Sequence, residues 1–332
     1  MNTLPNSNDD PSKVNTISAR HLTHHSLHPA FSEKYAVGQE LGSGGFGFVV
    51  SAYERQTGIE RAVKFIVRKK VPKSAWVEDV EMGLVPVEIH VLRRVRHENI
   101  IQFCDVYQDS VYFYLVMELH GSQWVARPST PISRSPALSQ DSQSTISSDE
   151  EEEMLSRPFA RRASCDLFEC IEQHKHFDEP RAKDIFRQIV HCVAYLDRLG
   201  ICHRDIKDEN VVIDQDYKVK FIDFGSAVVL DRKRNKRFVR FYGTVSSAPP
   251  EILLNQPYRP EPADMWSLGV LLYTLLFGEV PFPDSESAIS GPIMRPRIKV
   301  SVECKHLIVS LLEKDPQHRP TIHQVLTHPW FN

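Results

Sequence analysis

From residue 35 onward apolar and polar residues alternate in short runs at 35–41, 48–53 and 61–67, with a glycine-rich stretch between the first two. Period-two alternation of that length predicts half-buried strands, and a tight connection makes the first pair antiparallel. The pattern then changes to a helical one at 86–95, where Ile89, Val91, Leu92 and Val95 share the inner side and Pro86 suits a first turn. Two more strands follow, ending at 114–119, and helical patterns dominate from Asp166 to Trp330, broken by strand-like runs at 211–213 and 218–222. Strands first and helices later predict an α+β fold.

Two stretches lack this periodicity. Residues 1–30 are polar, with four closely spaced histidines, His21, His24, His25 and His28. No carboxylate or cysteine completes a metal site with them, so the expectation is a disordered, solvated tail. Between 123 and 163 the composition collapses into Ser, Thr, Pro and acid, including Ser147, Ser148, Asp149 and glutamates at 150 to 153. Burial there cannot offset the entropy of ordering, and an inserted disordered loop is expected.

Composition changes this picture little. The 332 residues, 41% hydrophobic and 25% charged, suffice for one large domain or two lobes. A formal net charge of -3 argues against nucleic acid or an anionic membrane as main partner. The longest apolar run, 266–277, is too short to span a bilayer and is read as a buried helix. The six cysteines show no paired ligand spacing and no signal peptide opens the sequence, so reduced thiols in the cytosol or nucleus are expected.

The candidate chemistry lies in three short motifs taken in order. Gly42-Ser43-Gly44-Gly45-Phe46-Gly47 would let backbone amides approach phosphate oxygens with no side chain between. A dinucleotide fingerprint is the rival reading, but strand-like Phe48-Val49-Val50 follows where a helix should, and no ribose-binding acid lies about twenty residues on. Lys64, in Ala62-Val63-Lys64, is placed for phosphate contact, with Glu88 on the following helix as its counter-charge. Val49 and Ala62 would roof an adenine, and Val212 would close it from below.

In His203-Arg204-Asp205, Asp205 is the candidate base that orients an attacking hydroxyl, and Lys207 would neutralise charge on the transferring group. Asn210, and Asp223 of Asp223-Phe224-Gly225, offer hard oxygens that suit Mg²⁺. His203 and Phe224 read as packing residues, Glu251 and Arg319 as a buried ion pair, and Asp264 as a cap on backbone amides near the catalytic loop.

With these motifs in this order, the chain resembles the eukaryotic serine/threonine protein kinases from 31 to 332, the insert apart. It is more narrowly similar to the PAS kinases in Trp76-Val77-Glu78-Asp79, His120-Gly121-Ser122, Asp166-Leu167-Phe168, the run from His203 to Asn210, that from Ile222 to Ala227, and Pro257-Tyr258-Arg259. The resemblance implies a two-lobed fold, with a small antiparallel-sheet lobe over 31–118 and a larger helical lobe over 119–332. It implies ATP and Mg²⁺ as cofactors, protein substrates, and a monomer with a place in nutrient or metabolic signalling. Met117 would be the gatekeeper, Glu118 and Leu119 the adenine-contacting hinge, and Lys207 with Thr244 the mark of serine/threonine specificity. Asp166 and Glu209 match positions that read basic residues ahead of the phosphosite in arginine-directed relatives.

Departures from the family pattern bear on regulation. Arg240 stands where a threonine is usual three residues before Gly243-Thr244, so the phosphate that normally engages Arg204 lacks its acceptor. Pro249 replaces the alanine expected before Pro250-Glu251. No PAS domain fits ahead of the catalytic stretch, so sensing is expected from another chain, or to have been lost or truncated. The acidic insert could screen the basic run Arg232, Lys233, Arg234, Lys236, Arg237 and Arg240, although two independently solvated charge runs are the simpler reading. Arg161-Arg162-Ala163-Ser164 resembles a target of arginine-directed kinases.

A scaffold without catalysis would not need Lys64, Asp205, Asn210 and Asp223 intact. Gly243-Thr244 and Pro250-Glu251 resemble a peptide-docking segment, which disfavours a lipid or small-molecule kinase.

Overall fold

The computed structural model describes residues 16–121, 165–231 and 236–332. The insert at 123–163, with Ser147, Ser148 and the acidic run, lies outside the described residues, as do Ser164 and the basic residues 232–234. The chain divides into two compact units, whose described parts are 16–70 with 104–119, and 71–103 with 120–121 and most of the chain from 165. The segment 71–103, assigned above to the small lobe, clusters with the second unit.

The first unit is built on a sheet of order β1-β2-β3-β7-β6. Its strands are β1 (Tyr35–Gly44), β2 (Gly47–Glu54), β3 (Glu60–Val67), β6 (Phe103–Gln108) and β7 (Tyr112–Glu118). β2 pairs antiparallel with β1 and with β3, and β3 with β7. One face carries Phe48, Val50, Val63, Phe65, Tyr112, Tyr114 and Val116, all buried in a single cluster.

Residues 16–34 cover that face, which corrects the expectation of disorder for 16–30; residues 1–15 lie outside the described residues. Helices α1 (Ile17–Leu22) and α2 (Pro29–Lys34) frame Leu22, Leu27 and Phe31, which join the cluster. Phe31 is fully buried, with the rings of Tyr114, Tyr35 and Tyr107 at 5.1, 5.4 and 5.5 Å. His21 and His25 serve as ring faces and hydrogen-bond partners, and His28 sets its ring against Tyr107. His21 Nδ1 lies 2.8 Å from the Tyr112 hydroxyl, and His25 Nε2 lies 2.8 Å from Asp109. The Thr16 hydroxyl caps α1, and the Glu40 carboxylate accepts the Ser18 N–H at 2.6 Å. Few residues make these contacts and they are widely spaced, so the segment shows no periodicity in sequence.

The second unit is mainly helical, around α4 (Leu167–His174), α5 (Glu179–Arg198), α6 (Pro250–Leu253), α7 (Pro260–Phe277), α8 (Ser285–Ser290), α9 (Val302–Leu311) and α10 (Ile322–Leu326). The apolar run at 266–277 is buried within α7, and among the described residues no helix is long and apolar enough to cross a membrane. Gly278 ends α7 in the left-handed region at φ +67°, and a Cβ there would lie 1.9 Å from the Lys175 carbonyl oxygen. Short strand pairs complete the unit: β8 (Ile201–Cys202) with β11 (Val228–Val229), and β9 (Val211–Ile213) with β10 (Val219–Phe221).

The sequence pattern did not indicate a further hairpin, β4 (Trp76–Asp79) with β5 (Gly83–Pro86), directly before helix α3 (Val87–Leu92). Pro86 closes β5 and is the N-cap of α3, one position outside the turn expected for it. The hairpin positions Asp79, whose carboxylate is buried. It accepts hydrogen bonds from Arg93 at 3.1 Å, Arg94 at 2.5 Å and the N–H groups of Glu81 and Met82, with His90 Nδ1 at 3.2 Å. Burial opposes ionisation of Asp79, but the Arg94 guanidinium and the two N–H donors outweigh it and hold the carboxyl well below its ordinary value. Three side chains of the α3 region are thereby tied to one anion.

Phe31→Ala should destabilise the protein by about 3–5 kcal/mol. Removal of residues 1–28 should lower the unfolding temperature by several degrees, whereas a solvated tail would leave it unchanged; differential scanning calorimetry of the three proteins decides. Asp79→Asn leaves cations without their anion, but Arg93 and Arg94 are partly solvated, so the loss should be on the order of 2 kcal/mol. Because the folded carboxyl is depressed, its contribution is present above the unfolded value of about 4 and is lost as pH falls below it. Thermal melts between pH 7 and 3 should therefore show a shallower acid limb for Asp79→Asn than for wild type.

Candidate active site

On the first unit, the register of β2, β3 and β7 sorts the candidate nucleotide residues. Val49 lies opposite Lys64, and Ala62 opposite Met117. Side chains alternate along a strand, so Val49, Ala62, Lys64 and Met117 occupy the face opposite the buried aromatic cluster. Lys64 is nonetheless buried there. Glu118 and Leu119 follow Met117 at the end of β7.

The glycine loop is the β1–β2 turn, with Gly44 paired to Gly47 and Gly45-Phe46 between them. A Cβ added at Gly42, Gly44 or Gly45 would meet nothing within 4 Å. These three leave the backbone open to close approach, with Ser43 between the first two. Gly47 has a different role: a Cβ there would fall 1.8 Å from the Phe65 carbonyl oxygen, so the start of the β2–β3 pairing requires glycine.

The second unit assembles the remaining candidates. Asp264, buried on α7, receives the N–H groups of His203 and Arg204 on its two carboxylate oxygens, both at 2.8 Å. Burial pushes the Asp264 carboxyl up to about 7, and the two N–H donors pull against that shift. Arg204 adopts φ +63°, a left-handed conformation costly for a residue with a Cβ and held by the contacts around it. The adjoining Asp205 is thereby fixed in place. Its Oδ1 accepts the Thr244 N–H at 2.8 Å and its Oδ2 the Asn210 side-chain amide at 2.9 Å. The same Asn210 amide reaches the Asp205 carbonyl at 2.8 Å. The Thr244 group that contacts Asp205 is thus its main-chain N–H.

Lys207 pairs with Glu209. Burial works against the Lys207 charge, but Glu209, Asp205 and Asp208 overcome it and raise its pKa, so the ammonium is retained. Asp223 accepts the Gly225 N–H at 2.8 Å, which shapes the turn after β10. Val212 lies in β9, paired with Lys220. Glu88 is buried on α3, in the second unit, while Lys64 belongs to the first.

His203 is enclosed by the rings of Phe221 and Phe224, at 5.0 and 4.9 Å. Burial drives its imidazole down to about 4 against the charges of Asp205 and Asp223, so it is neutral at physiological pH. Its Nε2 has no hydrogen-bond partner among the described residues. Arg319 grips Glu251 with both terminal nitrogens, at 2.8 and 2.7 Å, and both are buried.

Sequence reasoning did not indicate what holds Arg204. Its Nε donates to the Ser226 carbonyl at 2.6 Å, and its guanidinium lies over the rings of Phe238 and Tyr242, at 5.4 and 5.7 Å. The aromatic spacing in 238–242 was the available signal, visible only once the segment is folded against the catalytic loop.

Comparison with known proteins agrees with this geometry. The family profile described as "Protein kinase domain" matches residues 35–144 and 144–331. The PAS domain-containing serine/threonine-protein kinase of Mus musculus is 39% identical over 90% of this chain and 18% of its own length. Serine/threonine-protein kinase PSK1 of Saccharomyces cerevisiae is 31% identical over 88% of this chain and 19% of its own length. The chain spans about a fifth of the length of these two relatives. Serine/threonine-protein kinase pim-2 of Danio rerio is 31% identical over 91% of this chain and 86% of its own length. The chain belongs to the protein kinase family and is a serine/threonine-protein kinase domain of α+β architecture.

Proposed function

We propose that this domain transfers the γ-phosphate of ATP to serine and threonine hydroxyls of proteins that carry basic residues ahead of the acceptor. The observation that carries the reading is the Asp205 carboxylate, oriented by the Asn210 amide and the Thr244 N–H. Held in this way it accepts the hydrogen bond of an incoming hydroxyl without reorganisation and aims its oxygen at phosphorus. Lys207, kept charged by its acidic neighbours, stabilises negative charge that develops on the transferring oxygens. The sheet face of Val49, Ala62 and Met117 offers an apolar bed for adenine, and the open glycine backbone offers N–H donors for phosphate.

Family membership implies Mg²⁺, and the donors fit it. The Asn210 amide nitrogen is spent on Asp205, which directs the amide oxygen away from that carboxylate, and Asp223 adds carboxylate oxygen. These are hard ligands. Among the described residues no group of three His, Cys, Asp or Glu side chains gathers for a metal, so nucleotide phosphates and water would complete the shell. Mg²⁺ would neutralise charge on the β- and γ-phosphates.

The basic preference rests on Asp166, Asp208 and Glu209. Burial, followed by the charges of Glu209 and Asp166, raises the pKa of the Asp208 carboxyl. Such a group gains from the arrival of a cation, and an arginine or lysine of the substrate supplies one. Likeness to the PAS domain-containing kinase supports a role in nutrient or metabolic signalling, with protein substrates and a possible sensing chain as partners. We place the protein in the cytoplasm, with the nucleus as a second compartment, and read it as a monomer.

Asp205→Asn should lower kcat by about 10²–10⁴ with unfolding temperature unchanged, and Lys64→Met and Asp223→Asn should likewise abolish transfer. Phosphate incorporation into a peptide array, measured with all four proteins, checks this. Equal incorporation by wild type and Asp205→Asn would identify a non-catalytic scaffold carrying a contaminating activity. On the same array, arginine or lysine upstream of the acceptor should raise kcat/KM. Asp208→Asn with Glu209→Gln should reduce that advantage about tenfold. A library that favours acidic peptides would contradict the specificity.

A further inference from the structure

The segment before α3 and the segment after the Asp223-Phe224-Gly225 turn meet at one hydrogen bond. The Ser74 hydroxyl donates to the Tyr242 hydroxyl at 2.7 Å. Both residues belong to the second unit, and Ser74 is exposed. Arg240 stands two residues before Tyr242 with its carbonyl held by the Tyr258 hydroxyl at 3.2 Å, and the Arg204 guanidinium lies over the Tyr242 ring at 5.7 Å. The phenol is pulled below its ordinary value by the Ser74 hydrogen bond and by the charges of Arg240 and Arg204. The surroundings of Ser74 are therefore electropositive, and an anion attached to its oxygen would be stabilised there.

Arg68, Lys69, Lys70 and Lys73 precede Ser74 in the sequence, so the acceptor follows basic residues as the proposed specificity requires. Its backbone is easily presented. Ser74 lies in a single 3₁₀ turn, Lys73–Ala75, closed by the Ala75 N–H on the Pro72 carbonyl at 2.9 Å. Extending it for an active site breaks that main-chain bond, the Trp76 indole N–H bond to the Val71 carbonyl at 3.3 Å and the bond to Tyr242.

We propose that Ser74 is phosphorylated by a second copy of this kinase, and that Arg240 and Tyr242 bind the resulting phosphate. The polarity is the reverse of a phosphorylated loop: the phosphate stands before α3 and the loop supplies the arginine. In the transfer, Ser74 Oγ forms a bond to the γ-phosphorus of ATP, the bond from that phosphorus to the β,γ-bridging oxygen breaks, and ADP leaves. The hydroxyl proton passes to Asp205 of the phosphorylating copy. Having lost that proton, Ser74 no longer donates to Tyr242. The Tyr242 hydroxyl instead donates to a phosphate oxygen, and Arg240 pairs with the dianion directly. One neutral hydrogen bond between the two segments becomes two charge-assisted ones.

This proposal rests on the basic-directed specificity above. The test mixes active protein with an inactive Lys64→Met copy, or with Asp205→Asn should the first not fold, in Mg²⁺ and ATP, and maps phosphate by mass spectrometry. Ser74 of the inactive copy should be labelled at a rate that rises with the concentration of active protein; an unlabelled Ser74 overturns the proposal. Basic preference on the peptide array together with an unlabelled Ser74 removes this proposal alone, whereas an array without that preference removes the specificity reading. In a second arm, phosphoserine encoded at position 74 should raise kcat/KM on the order of tenfold in wild type and not in Arg240→Gln. An equal response in both backgrounds, or none in wild type, overturns the role given to Arg240.

Discussion

The buried carboxylate of Asp264 holds together everything that the second unit contributes to chemistry. Its two oxygens take the main-chain N–H groups of His203 and Arg204, a pair of amides that the left-handed turn at Arg204 would otherwise leave without partners. Burial of an acid is costly, and the two N–H donors only partly counter it, so the carboxyl stays raised, at about 7. The consequence appears one residue later, where Asp205 is held in a fixed orientation by Asn210 and Thr244. Orientation of the candidate base thus begins with an acid on a helix about sixty residues away in sequence.

Arg204 shows how the same turn is secured from its other side. A carbonyl oxygen and two aromatic rings surround its guanidinium. Such contacts are neutral and are always present, so the turn is braced without a modification. Arg240 fits this arrangement, because the charges of Arg240 and Arg204 both act on the Tyr242 phenol and the Arg204 guanidinium lies over its ring. The tyrosine at 242 serves both arginines.

The first unit makes a comparable use of aromatic residues for stability. Its sheet has one face for the candidate nucleotide residues and one that must be shielded from water, and the chain before β1 supplies the cover. His21 and His25 share this work with Leu22, Leu27 and Phe31. The two histidines each place a flat ring on a tyrosine or phenylalanine and a nitrogen on a polar partner. To a reading based on hydropathy they look like solvated tail, since the scale counts their polarity and not their ring.

Local chemistry made much of the molecule readable without coordinates. Alternation located β1, β2, β3 and β7, the apolar run located α7, and the spacing of the glycine loop, His203 to Asn210, and Asp223 to Gly225 pointed to phosphoryl transfer. Each of these signals depends on neighbours within a few residues, where sequence and structure share a period. Even the Glu251–Arg319 pair and the cap by Asp264 could be inferred, because a buried charge needs a partner. What required the folded chain was every contact between distant segments whose members look unremarkable alone. The hairpin that sets Asp79 against Arg93 and Arg94, the helices over Phe48 and Tyr112, the carbonyl and rings around Arg204, and the meeting of Ser74 with Tyr242 belong to this class. Such contacts are selected by three-dimensional packing, to which linear periodicity is blind.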